Sequence, residues 1–183
     1  MCAENNTASA ASASASAVSA SGQPGRQHCR LKYEITEIKK PGEAQLKDLF
    51  AIELSAHLNP WSYDNIKACF TPFNHVLAIY VQGVMAGFAI VQLIAGEAEL
   101  LTIGIKREKQ GQGLGRALLN AVLDFCRAAQ AQCMFLEVRV GNEPAKALYL
   151  SSGFEIVGVR EHYYEAAGGH PAEDAYTMRL DMQ

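Results

Sequence analysis

No stretch of this chain is apolar for the roughly 20 residues needed to cross a bilayer, so no membrane association is expected. There is no C-x-x-C pair. The five cysteines (Cys2, Cys29, Cys69, Cys126, Cys133) are scattered, odd in number, and form no ligand cluster with the five histidines. This argues against a disulfide framework and against a metal site, and it suits a reducing cytoplasm. An excess of positive charge is also missing. Sixteen Lys and Arg face 19 Asp and Glu, a net charge of -3, so direct nucleic-acid binding through a broad basic field is not expected. A local acidic groove for a cationic peptide stays open. Large side chains are nearly absent from the first part of the chain. Ala8 to Ser21 is alanine and serine but for Val18, with Gly22, Pro24 and Gly25 after it. Such a segment has too little to bury to offset its ordering entropy. It has neither the basic start and apolar centre of a secretory leader nor the arginines of a mitochondrial one. Residues 1–30 are expected to be a disordered extension, and residues 31–183 one folded domain.

What the chain does have is Gln110-Gly111-Gln112-Gly113-Leu114-Gly115-Arg116, with glycine at every second position. An apolar run, Leu100 to Ile105, precedes it, and a helix-patterned run, Ala117 to Cys126, follows. A strand, a glycine-rich turn and a helix aim several backbone N–H groups and the positive end of a helix at an anion. A phosphorylated cofactor is the expected occupant. The spacing is G-x-G-x-G, not the G-x-G-x-x-G of dinucleotide folds. No lysine follows in the register of a nucleoside-triphosphate loop. Q-x-x-G-x-G, at Gln110, Gly113 and Gly115, is what remains.

Along the rest of the chain, Leu31–Glu37 alternates as a strand, and Pro41-Gly42 breaks it. Leu46, Leu49, Phe50 and Leu54 set a helix from Ala44 to His57, and Ser62 can cap a short helix over Tyr63–Phe70. Val76–Val81 and Ala86–Val91 flank Gly83 as a hairpin, and Glu97–Ile105 is the next strand. After the glycine turn and its helix, Cys133–Val140 is a strand carrying Glu137 and Arg139. Asn142 can cap a helix with Pro144 in its first turn and Gly153 past its end. Phe154–Val159 and Ala175–Met182 close the set, with Tyr163 and Tyr164 in the loop between them. The expected architecture is α/β, a mixed central sheet of six to seven strands with helices on both faces.

The glycine signature resembles the pyrophosphate-binding turn of the GCN5-related N-acetyltransferases (the GNAT superfamily). Leu136-Glu137-Val138-Arg139, Asn142, Ala147-Leu148-Tyr149 and Gly153-Phe154 resemble the second half of that family's core. With Pro60-Trp61-Ser62 and Arg160-x-x-Tyr163-Tyr164 added, the chain is similar to the bacterial RimI branch, the ribosomal-protein alanine N-acetyltransferases. The likeness runs from about Tyr33 to Asp181. Lys109, Gly111 and the alanine-serine extension depart from the usual pattern.

The resemblance implies the GNAT fold and acetyl-CoA as cosubstrate, with no metal. Ile103, Gly104 and Ile105 would offer strand-edge backbone to it. Gly111, Gln112, Gly113, Leu114, Gly115 and Arg116 would hold its pyrophosphate, and Asn142 its pantetheine or nucleotide side. Glu137 would be the general base and Tyr149 the general acid. Trp61, Tyr163 and Tyr164 would contact the substrate, one tyrosine bonding a peptide backbone. The implied substrate is the N-terminus of a small-subunit ribosomal protein beginning with alanine, in the cytoplasm.

The chemistry is consistent with that. A peptide α-amine has a pKa near 8, so roughly a tenth is neutral at pH 7, against a few parts in ten thousand of a lysine near 10.4. One carboxylate, acting directly or through a water, suffices as base. A phenol near pKa 10 protonating a thiolate near 8.5 runs uphill by about 2 kcal/mol. Tyr149 would therefore donate a hydrogen bond rather than complete a proton transfer, unless its own pKa is lowered. Plainer roles stand beside these: Glu137 as an ion pair with Arg139 on the same strand face, Tyr149 as a core aromatic, Asn142 as a helix cap, and Trp61 as a plug. His57, His75, His162 and His170 read as ordinary surface or boundary residues. A small-amine or lysine acetyltransferase and a non-catalytic acetyl-CoA-binding partner protein are the alternatives.

Overall fold

A computed structural model of the chain describes residues 32–166, 169 and 171–182. The expected alanine-serine extension, the first residue of the expected opening strand and His170 lie outside these residues. The elements run β1 (Tyr33–Ile38), α1 (Glu43–Ala56), α2 (Tyr63–Ala68), β2 (Asn74–Val81), β3 (Val84–Ile94), β4 (Glu97–Ile105), α3 (Leu114–Ala128), β5 (Cys133–Arg139), α4 (Glu143–Leu150), β6 (Glu155–Tyr164) and β7 (Glu173–Asp181). A single 3-10 turn, Arg107–Lys109, sits between β4 and the glycine run.

The strands form one seven-stranded sheet in the order β1-β2-β3-β4-β5-β7-β6. All neighbours are antiparallel except β4 and β5, which are parallel. Alternation along the inner strands divides their side chains between two cores, as a pleated strand requires. From β2, Leu77, Ile79 and Val81 join the cluster built on Leu114, Leu118, Leu119, Val122 and Cys126 of α3. Val76 and Ala78 join the opposite cluster, with Leu49 and Ile52 of α1 and Ile66 of α2. The fold is therefore α/β with helices on both faces, as the sequence pattern predicts.

Two local expectations shift. The buried stripe of α1 is Leu46, Leu49, Ile52 and Glu53, while Leu54 is exposed. The helical phase places Glu53, not Leu54, one turn beyond Leu49 and Phe50. The sixth strand runs on through Tyr164, with register shifts after Ile156 and Arg160, so Tyr163 and Tyr164 are strand residues and not loop residues. Val157 and the residues after Arg160 are irregular insertions that let the strand bend while keeping its partner.

Candidate active site

The parallel pair at the centre of the sheet is incomplete. Pairing between β4 and β5 covers only Glu97–Leu100 against Cys133–Leu136, and stops there. On its other side β4 stays paired with β3 to Ile105, but Ile90 opposes Thr102 while Val91 opposes Leu100, which leaves Leu101 as an extra residue. A bulge bends its strand and increases the local twist. Beyond Leu101, β4 follows β3 and β5 follows β7, so the two strands part. Leu101–Ile105 and Glu137–Arg139 then face each other without a strand between them.

This gap is a cavity of about 800 Å³. Its walls include Ile103, Gly104, Ile105, Gly111, Gly115, Glu137, Asn142, Tyr149, Trp61 and Tyr164, residues separated by more than a hundred positions in the chain. Gln112, Gly113, Leu114, Arg116 and Tyr163 do not line it. Leu114 turns its side chain into the core. Arg116 donates to the hydroxyls of Ser151 (2.6 Å) and Ser152 (3.3 Å) and so ties the first turn of α3 to the end of α4. Its exposed guanidinium keeps further N–H groups beside the backbone groups of the turn. Gly111 and Gly113 have φ of +71° and +80°, and a Cβ on either would meet open space. Their conformation therefore strains any residue with a side chain, and the surface left bare is one an anion can approach. The signature glutamine folds back, Gln110 Nε2 donating to the Ile105 carbonyl at 3.0 Å. Gly104 has a different reason: a Cβ there would lie 3.2 Å from both Ala56 Cβ and His57 Nε2, where the end of α1 presses on β4.

Glu137 is half-buried. Its Oε1 accepts from Arg160 Nη1 at 3.1 Å, and the guanidinium of Arg160 also lies 4.2 Å from the Tyr163 ring centre. The pairing of Glu137 with Arg139, the plainer alternative for Glu137, is not what forms. Arg139 donates to Glu173 Oε2 at 2.9 Å and stacks 4.0 Å from the Tyr164 ring centre. The reason is topological: β7 and β6 flank β5 on the open side and bring their own charges to it.

Tyr149 is buried and sits edge-on to Phe154, with ring centres 5.8 Å apart. Burial, with a further contribution from Tyr164, pushes its hydroxyl well above the ordinary phenol range. Tyr164 is pushed up to about 12, chiefly by burial and then by Tyr163. The Tyr149 hydroxyl is thus less acidic than a free phenol. Asn142 caps α4, its Oδ1 accepting from the Ala145 N–H at 3.3 Å, and it lines the cavity as well.

Sequence reasoning missed Glu53, His57, Thr102, Arg139 and Glu173 as cavity residues. Glu53 is 1% exposed. It accepts from the Trp61 backbone N–H at 3.1 Å and from Thr102 Oγ1 at 3.4 Å, and His57 Nε2 lies 3.5 Å away. His57 is a wall residue, not an ordinary boundary one. A carboxylate in the apolar stripe of α1, one turn before a histidine, was the legible signal. Among the described residues there is no metal-ligating group of three or more, and no helix is long and apolar enough to cross a membrane.

The pattern of the acetyltransferase (GNAT) family matches residues 43–154. The chain belongs to the GNAT acetyltransferase family. Similar proteins include the Escherichia coli [ribosomal protein bS18]-alanine N-acetyltransferase, 37% identical over 133 residues that span 73% of this chain and 88% of that one. The Mycobacterium tuberculosis N-alpha-acetyltransferase RimI is 41% identical over 115 residues, 61% of this chain and 68% of that one. The solved structure of the E. coli ribosomal-protein-S18-alanine N-acetyltransferase superposes with a TM-score of 0.76 at 34% identity, covering 83% of this chain and 95% of that one.

Proposed function

We propose that this protein is an acetyl-CoA-dependent Nα-acetyltransferase acting on a protein N-terminus. Its expected substrate is a small-subunit ribosomal protein that begins with alanine, with bS18 as the first candidate and the cytoplasm as the place of action. The observation that carries this reading is the splay of β4 from β5, with Glu137 on one wall, buried Tyr149 nearby and the Gly111–Gly115 turn at the same cavity. Similarity to the E. coli enzyme supports the choice of substrate, and similarity to the M. tuberculosis enzyme supports acetylation of an α-amine.

The residues present fit acetyl-CoA. Gly111 and Gly113 leave the turn bare, α3 begins immediately after it, and the walls beyond combine apolar Ile103, Ile105 and Leu148 with unpaired strand edges. The turn and the first N–H groups of α3 would hold the pyrophosphate, Ile103–Ile105 and Asn142 the arm beyond it. When bound, this group supplies the acetyl carbon for transfer.

The chain's own residues have three tasks. Glu137 accepts a proton from the substrate ammonium at a carboxylate oxygen, directly or through a water, to give the neutral amine. Arg160 donates to Oε1 of the same carboxylate, so the amine shares Glu137 with that guanidinium. Tyr149 donates a hydrogen bond to the departing sulfur and keeps its proton, since its hydroxyl is even less acidic than a free phenol. Tyr163, Tyr164 and Trp61 are assigned to the peptide.

Mass spectrometry of a basic, alanine-leading peptide with an internal lysine, incubated with the protein and acetyl-CoA, tests the reading. One acetyl group on the α-amine is the expected result. Acetylation of the lysine, or of a polyamine in place of the peptide, moves the protein to another substrate class. Binding of acetyl-CoA without transfer makes it a binding module.

A further inference from the structure

Arg139 has no part in the roles assigned so far, yet it is held with unusual care. Its side chain is 12% exposed, and Nη1 donates to Glu173 Oε2 at 2.9 Å. Glu173 is itself anchored, Oε1 accepting from the Gly141 backbone N–H at 2.6 Å. The ring of Tyr164 lies against the guanidinium, 4.0 Å to its centre. The second terminal nitrogen, Nη2, is buried and takes no hydrogen-bond partner among the described residues. Arg139 lines the same cavity as Glu137 and Tyr149.

A buried guanidinium nitrogen with nothing to donate to is costly, so it is expected to meet an acceptor in the working complex. Glu137 and Arg139 are two residues apart on β5, hence on one face and about 7 Å apart along the strand. One is an acceptor for an amine proton; the other is a donor for an oxygen. That pairing fits a chemical difference between the two kinds of amine in a protein. An α-amine has a carbonyl carbon two bonds from its nitrogen, whereas a lysine ε-amine has only methylenes there.

Resting on the N-terminal reading above, we propose that Arg139 is a specificity residue: its Nη2 donates to the first carbonyl oxygen of the substrate peptide while the α-amine is at Glu137. Glu173 and Tyr164 fix the guanidinium plane, which a lysine ammonium does not reproduce. The site thereby reads the N–Cα–C=O unit and favours a chain terminus over a lysine side chain, independently of their difference in basicity.

The test compares an alanine-leading peptide with an analogue whose first carbonyl is replaced by CH2, in wild type and in Arg139→Gln. The ratio of kcat/KM for the two substrates is the readout. The altered basicity of the analogue is the same for both proteins and cancels between them. Wild type is expected to prefer the true peptide, and Arg139→Gln to shrink that preference by about tenfold or more, the discrimination a charge-assisted hydrogen bond supplies. If Arg139 only supports the fold, both substrates slow together and the ratio stays put, which overturns the proposal. Arg139→Lys, which keeps the charge but not the planar fork, serves where the glutamine variant is not folded, and the same shrinkage is expected. Equal use of both substrates by wild type alone also overturns it. A wild type that acetylates no peptide α-amine would instead sink the N-terminal reading.

Discussion

The two halves of the sheet are built from the same kind of strand and finished differently. Across β1–β4 both faces are covered, by α1 and α2 on one side and α3 on the other. Phe88, Ile79 and Ile90 there have no exposed surface. Across β5, β7 and β6 only one face is covered. Met134, Leu136 and Val138 face the helix side and are buried, while the alternate residues of β5, Phe135, Glu137 and Arg139, are half-buried on a face without a helix. One half is a core and the other is half a core. The uncovered face is where charges can be held in partial burial, paired with one another and close to a ligand. A cluster containing Glu137, Arg160, Arg139 and Glu173 inside the first half would be an uncompensated expense in desolvation; at the bare face it is tolerated and available.

Exchanging damage between the halves is the strongest way to break this comparison. Glu137→Gln, in the open half, is expected to lower kcat by about 10²–10⁴-fold while leaving the urea midpoint almost unmoved. A variant that turns over like wild type removes Glu137 from the chemistry. Phe88→Ala, in the closed half, should do the reverse: about 3–5 kcal/mol of stability lost, with kcat per folded molecule unchanged. If its kcat falls in proportion to its stability, the halves are not separable in this sense. The smallest effect is in alkali. Tyr149 and Tyr164 both hold their protons more tightly when folded than when unfolded. Stability from them is whole below about pH 10, where the unfolded phenols begin to ionise, and falls as pH rises through that range, at up to about 1.4 kcal/mol per pH unit for each. Urea midpoints at pH 9 and pH 11 should show this fall, with Tyr149→Phe shallower; equal slopes would remove Tyr149 from the account.

The difference between the halves was only partly legible in the chain. Alternation and helical spacing located the strands and helices well, because burial on one or two faces leaves a period that local sequence records. The glycine turn suggested an anion site only together with the motifs around it, and the positive φ angles at Gly111 and Gly113 bear out the need for glycine there. Asn142 was legible as a cap, and it is one. Partnership was not legible. Arg139 stands two residues from Glu137 and reads as its ion pair, but Arg160 and Glu173 take the two positions instead. Glu173 arrives on β7, the strand beside β5, and Arg160 on β6, one strand further out, an order that local sequence does not record. The tyrosine pair looked like a loop because a strand with two register shifts loses its period of two. The partners of Glu53 were not legible because they lie on β4 and on the segment that follows α1, not on the helix itself.

The sequence by itself determined where strands and helices form, which turn positions need glycine, and which family the chain resembles. Those properties depend on side-chain periods and on backbone freedom, which are local. The tertiary structure alone decided that β4 and β5 part after Leu100 and Leu136, and that Arg160 rather than Arg139 meets Glu137. It also decided that Tyr149 is buried deeply enough to keep its proton. Each of these depends on which distant segments exclude water from a group, and no local pattern carries that information.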